Sequence, residues 1–112
     1  MGKVEEKIIS ATDRDFRSTA FLAKCLGDAN RLRILVAVSR GKKSVSQIVE
    51  ELGVSQPLVS HHLKELKMAS LVKVERSGAF VYYQLVDHRL IDLILDLELL
   101  ARQLKNSRSS WE

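Results

Sequence analysis

The chain has 112 residues, 46% of them hydrophobic and 29% charged, and a formal net charge of +4. That length suits one folding unit, and the composition argues against disorder, while no stretch approaches the roughly 20 apolar residues a bilayer span requires. A single cysteine, Cys25, excludes an internal disulfide framework and an all-cysteine metal cage within one chain.

The start, MGKVEEKIIS, has no apolar signal core, so a cytoplasmic protein is expected, with no membrane partner. Polar composition makes residues 1–12 and 106–112 loosely ordered segments around a domain at 13–105. Residues 13–27 read as a helix opened by Asp13. Phe16, Ala20 and Ala23 form one apolar stripe, and Leu22, Cys25 and Leu26 a neighbouring one. Asp28 then caps a second helix, ANRLRILVAVSR, which stops at Gly41. Ser44 and Gln47 have capping-box spacing and open SVSQIVEEL, a short amphipathic helix ended by Gly53. Ser55 caps a fourth helix, with Pro57 in its first turn, where a missing N–H does no harm.

After Ser70 the apolar period changes to two. LVKVER, a two-residue turn at Ser77-Gly78 and AFVYYQLV make a β-hairpin. Asp87 caps a last helix, HRLIDLILDLELLARQLK. The order α-α-α-α-β-β-α, mainly α with a small β-hairpin wing, is that of a winged helix-turn-helix.

Charge is unevenly spread along this order. Arg31 to Arg76 holds nine Lys or Arg against four Glu, whereas the rest of the chain holds nine basic and ten acidic groups. A local excess of this kind suits a phosphate-contacting surface. On a helical wheel Val59, Leu63 and Leu66 share one side of the fourth helix with Leu58 beside them. Gln56, Pro57, Ser60, His61, Lys64 and Lys67 share the opposite arc, next to Ser55. Gln pairs with adenine edges, Ser bonds base edges or phosphates, and Lys neutralises phosphate, so this arc is assigned to the major groove of double-stranded DNA. Lys73 and Arg76, on or near the hairpin tip, are assigned to the backbone or the adjacent minor groove. His61 and His62 diverge by about 100° on a helix and cannot readily share a metal. His61 is read as a DNA contact and His62 as structural.

The last helix carries eight Leu or Ile between Leu90 and Leu100, more than one stripe against its own core uses. A second copy is the simplest further partner. Phe16, Phe21, Leu90, Ile94, Leu97 and Leu100 are the expected dimer residues, and a two-fold dimer would read a palindromic operator.

The run LGDANRLRIL, followed by SQIVEELGVSQPLVSHHLKELKMASLVKVERSGAFVYYQL, closely resembles the ArsR/SmtB family of bacterial and archaeal winged-helix repressors. The match spans roughly residues 20 to 100. The resemblance implies a homodimeric repressor that leaves its operator when a metal ion or another inducer binds. The usual proline of the D-P-x-R-L-R segment is Ala29 here. The sensory sites depart from the family. The arsenic and cadmium cysteine motif would fall where Ser44, Val45 and Ser46 stand. Of the last-helix zinc ligands only Asp87 matches, the others being Arg89, Leu100 and Gln103. No cofactor is required for DNA binding.

Other sensing candidates follow from spacing. His88, Asp92 and Asp96 lie at i, i+4 and i+8 and place metal donors on one stripe, although a solvated polar stripe is the preferred reading. Cys25 is a redox or electrophile candidate, but its apolar stripe favours a buried, inert thiol. An enzyme is set aside, since no phosphate-binding glycine loop, metal cluster or activated nucleophile is present. The remaining alternative is a winged-helix module that binds protein instead of DNA.

Overall fold

The computed structural model describes residues 14–109. Each helix of the central body begins where a side chain supplies the partner its first backbone N–H groups lack. Helix α1 spans Arg17–Cys25, α2 Ala29–Ser39, α3 Val45–Leu52 and α4 Gln56–Met68. Strands β1, Val72–Ser77, and β2, Phe80–Leu85, are followed by α5, Arg89–Ser109. Asp28 accepts the N–H of Arg31 at 3.0 Å and caps α2. At α3 both halves of the capping box form, with Gln47 N–H on Ser44 Oγ at 3.2 Å and Ser44 N–H on Gln47 Oε1 at 2.8 Å. Ser55 Oγ accepts from Leu58 N–H at 3.3 Å and opens α4. Each such cap is worth about 1 kcal/mol. Gly53 closes α3 at φ 66°, a left-handed geometry that lets α3 and α4 follow one another through a tight turn.

The core lies between these helices and the base of the hairpin. Ile34, Leu35 and Val38 of α2 meet Ile48 of α3, Val59, Leu63 and Leu66 of α4, and Val72 and Leu85 of the strands. Leu90 and Ile94 close it from α5. The strands pair antiparallel from Val72↔Leu85 to Ser77↔Phe80. Lys43 adds a short third rung, its N–H donating to Tyr83 O at 2.9 Å and its carbonyl accepting from Tyr83 N–H at 2.7 Å. A two-stranded hairpin alone is marginal in water, so this rung and the buried Val72–Leu85 pair hold the wing.

Helix α4 ends in a Schellman arrangement. Leu71 N–H donates to Leu66 O at 2.9 Å and Ser70 N–H to Lys67 O at 3.0 Å, with Ser70 at φ 62° where glycine is usual.

Three expectations are corrected. The first helix starts at Arg17, whose N–H is taken by Asp15 at 2.9 Å, and Asp13 lies outside the described residues. Its Phe16, Ala20 and Ala23 stripe is exposed; Leu22, Cys25 and Leu26 are the side that packs. The hairpin turn is Gly78-Ala79, one residue later than Ser77-Gly78, because Ser77 pairs with Phe80 and Gly78 takes φ 60° at the first loop position. Residues 106–109 continue α5 instead of starting the polar tail, since no proline or glycine there interrupts the hydrogen-bond ladder. Residues 1–12 and 110–112 lie outside the described residues. Among the described residues, no helix is long and apolar enough to cross a membrane.

Candidate nucleic-acid interface

The two sides of α4 are sharply unlike. Val59, Leu63 and Leu66 are fully buried, while Gln56, Pro57, His61, Lys64 and Lys67 are exposed and Ser60 is half-buried. Ser55 and Pro57 fix the first turn of α4. Gln56 Nε2 donates to Ser60 Oγ at 3.3 Å, which lines up the two along one helix face. The Gln56 amide is exposed and the Ser60 hydroxyl is on a half-buried residue.

Lys67, Lys73 and Arg76 come together around one open groove of about 630 Å³. Ser70 borders it and Val72, Val74 and Val86 line it. The groove runs between the end of α4 and β1, so cations 3 and 9 residues apart in sequence share one concave surface. Such a shape concentrates positive potential where a phosphate backbone passes.

Sequence reasoning missed the residues that aim these groups. Lys42 Nζ lies 3.1 Å from Glu75, the one carboxylate of the hairpin, and 5.2 Å from the centre of the Tyr82 ring. It offsets the negative charge of Glu75 on the wing. Lys43 Nζ donates to Ala37 O at 2.9 Å and pairs with Glu51 at 2.9 Å, which ties the strand rung to α2 and α3. Lys43, aided by Arg40, holds the Glu51 carboxyl below its ordinary range. These contacts join residues far apart in the chain, and local pattern carries no sign of them. Phe80, exposed beside the turn, is also a surface residue that alternation alone did not single out.

The expected dimer residues divide. Phe16, Phe21, Leu97 and Leu100 are exposed, but Leu90 and Ile94 are only 8% and 5% exposed and belong to the protomer's own core. They are corrected accordingly: both belong to the buried cluster that contains Leu85 of β2 and Ile34, Leu35 and Val38 of α2. The open seam is Leu93, Leu97, Leu100 and Leu104, which are between 39% and 54% exposed. Their 4-3-4 spacing is that of a helix pairing with another helix.

The sensing candidates do not assemble. His88 precedes α5, and His88, Asp92 and Asp96 are exposed along a rise of about 12 Å, too long for one ion. Among the described residues, no three His, Cys, Asp or Glu side chains are placed to hold a metal. Asp87, the one match to the family's zinc ligands, is engaged by Arg89. It accepts the Arg89 N–H at 2.9 Å and meets the guanidinium at 2.7 Å, and this pairing lowers its carboxyl to about 2. Cys25 is a free thiol, buried beside Leu26.

Comparison with known proteins fits this geometry. The family model for bacterial regulatory proteins of the arsR family matches residues 28–74, from the α2 cap into β1. The HTH-type transcriptional repressor SmtB of Mycobacterium tuberculosis is 43% identical over 75 residues, which are 67% of this chain and 56% of the repressor. The chain thus spans little more than half the length of that relative. An HTH-type transcriptional regulator of Methanocaldococcus jannaschii is 38% identical over 80 residues, 70% of this chain and 90% of the regulator. Among solved structures, the homodimeric winged helix-turn-helix DNA-binding domain from Mycobacterium bovis matches with a TM-score of 0.63 and 26% identity, covering 80% of this chain and 89% of that one. The expected winged helix-turn-helix is therefore the observed fold, and the relatives carry the names of regulators, not enzymes. With the model resting on the caps, the glycine turn and α4, and with the M. jannaschii regulator matched over nine-tenths of its length, the chain belongs to the ArsR family of regulatory proteins.

Proposed function

We propose that this protein is a dimeric, DNA-binding transcriptional repressor that lays α4 in the major groove and the hairpin along the neighbouring backbone. One observation carries the reading: α4 buries Val59, Leu63 and Leu66 completely and turns Gln56, His61, Lys64 and Lys67 outward, beside a groove where Lys67, Lys73 and Arg76 converge. On that face Met68 is exposed among charged and polar groups, whereas the core of a protein-binding interface is depleted in charge. The SmtB relative, named as a repressor, supports the direction of control.

Two copies join through the Leu93, Leu97, Leu100 and Leu104 seam, with Phe16 and Phe21 of α1 contributing exposed apolar surface. The homodimeric M. bovis neighbour supports this assembly. A two-fold pair of reading helices fits a palindromic operator with half-sites about 34–36 Å apart, in the cytoplasm where the chromosome is. An effector releases the complex by a route other than the family's cysteine motif, whose place is taken by Ser44, Val45 and Ser46, and its last-helix zinc site, of which only Asp87 is kept.

The test is selection of duplexes from a random pool, followed by titration of the selected site. The dimer is expected to select a palindrome. Gln56→Ala and His61→Ala should each weaken binding by about 1–3 kcal/mol and relax preference at one base pair of each half-site. Failure to enrich any sequence, or variants that weaken all duplexes equally, would remove the sequence-reading role of α4.

A further inference from the structure

His62 stands within the reading helix, yet it is 6% exposed and is the buried polar side chain of the described core. Its Nδ1 accepts a hydrogen bond from Arg31 Nε at 3.2 Å. An imidazole nitrogen that accepts carries no proton, so the proton is on Nε2. That nitrogen faces Asp28 Oδ1 at 3.6 Å. Asp28 Oδ1 also accepts the Arg31 N–H at 3.0 Å and caps α2. One ring therefore joins the middle of α4 to the first turn of α2 through its Nδ1, while its Nε2 faces the capping carboxylate beyond hydrogen-bond distance.

We infer that His62, in its neutral form, is a positioning residue that sets the rotation of α4 about its own axis, and that protonating it releases this hold and weakens DNA binding. The inference rests on the DNA-reading role of α4. Val59, Leu63 and Leu66 anchor α4 through apolar contact, which has no direction of its own, whereas the Arg31 bond is directional. His62 adjoins His61 in sequence, and their ring centres are 5.7 Å apart, so a turn of the helix at one moves the other. A second proton would sit on Nδ1 and convert the acceptor into a donor opposed to the Arg31 N–H. The Arg31 bond is then lost, two cations confront one another, and the ring is drawn toward Asp28. Asp28 remains anionic throughout, its carboxyl held below the ordinary range chiefly by the Arg31 backbone N–H. The groups facing His62 are thus Arg31 and Asp28 from α2 and His61 from its own helix.

The sign is distinctive. Protonating the exposed His61 near phosphates would strengthen binding as pH falls, while protonating His62 would weaken it. The experiment uses the full chain carrying His61→Gln and a labelled duplex selected by the wild-type protein, at constant ionic strength from pH 8 to pH 5. Affinity should fall about ten-fold toward acid. Adding His62→Asn places an amide oxygen where Nδ1 was. This variant should bind within about three-fold of its parent at pH 8 and show a flat pH profile, because its acceptor cannot be protonated. His62→Leu should be weak at every pH. If it fails to fold, the Asn variant and the parent profile still decide. A flat parent profile, or an unchanged acid decline in His62→Asn, overturns the inference. Nitrogen chemical shifts of His62 in the free protein give a DNA-independent check: a proton on Nδ1 at pH 8 would overturn the latch and leave the reading of α4 untouched. Absence of any selected duplex would instead fail the DNA reading, and the tautomer would still report on the latch.

Discussion

The cationic groove makes a quantitative demand on salt dependence. Lys64, Lys67, Lys73 and Arg76 are all exposed, and Lys67, Lys73 and Arg76 line one concavity. Two protomers then present about eight phosphate-neutralising groups, for which the slope of log affinity against log salt is about −7. Between 50 and 200 mM salt that slope costs about four decades of affinity. Arg76→Gln removes one group per protomer and should bring the slope to about −5.4, a change of about 1.8. Fluorescence anisotropy of a labelled duplex over a salt series measures it directly. An Arg76→Gln variant whose affinity drops by the same factor at every salt concentration would show that Arg76 does not meet phosphate. The groove would then have to be credited to something other than the DNA backbone.

Two further outcomes follow from the packing. Leu97→Glu or Leu100→Glu should weaken the dimer more than about 100-fold in sedimentation, since burying each leucine is worth about 1.5–3 kcal/mol and the change occurs twice. Leu95→Glu should leave the dimer intact, because Leu95 is equally exposed but lies about 160° around α5 from Leu97. Equal loss in all three would argue against a defined seam. Ser70→Gly should stabilise the fold by about 0.5–1 kcal/mol, because φ 62° strains an L-residue and not glycine. A rise in Tm of about 2–5 °C at fixed protein concentration is expected, and a fall would contradict the assigned left-handed cap.

What was legible in the sequence was local. The Asp28, Ser44 and Ser55 caps and the Gly53 turn act within four residues, so the sequence displays both partners. The division of α4 into buried and exposed arcs was equally visible, since helical period alone fixes it. Phase relative to distant elements was not. Leu90 and Ile94 and the seam at Leu93 and Leu97 are all leucine or isoleucine on one helix, and only the fit against α2 and β2 separates core from surface. The hairpin turn slipped by one residue for a related reason. Its register is set at the far end, by the buried Val72–Leu85 pair, and not by the glycine. The Arg31–His62 bond and the Lys42–Glu75 pair bridge 31 and 33 residues and left no trace in local pattern.

The manner in which the hairpin is attached divides it into two parts with different tolerances. Its root is stitched to Lys43 and plugged by Val72 and Leu85, whereas from Ser77 to Phe80 every residue is exposed and touches no core. The tip is in effect an exchangeable fingertip. Residues can be swapped or inserted there to change how far the wing extends, while the helical scaffold beneath it keeps its shape.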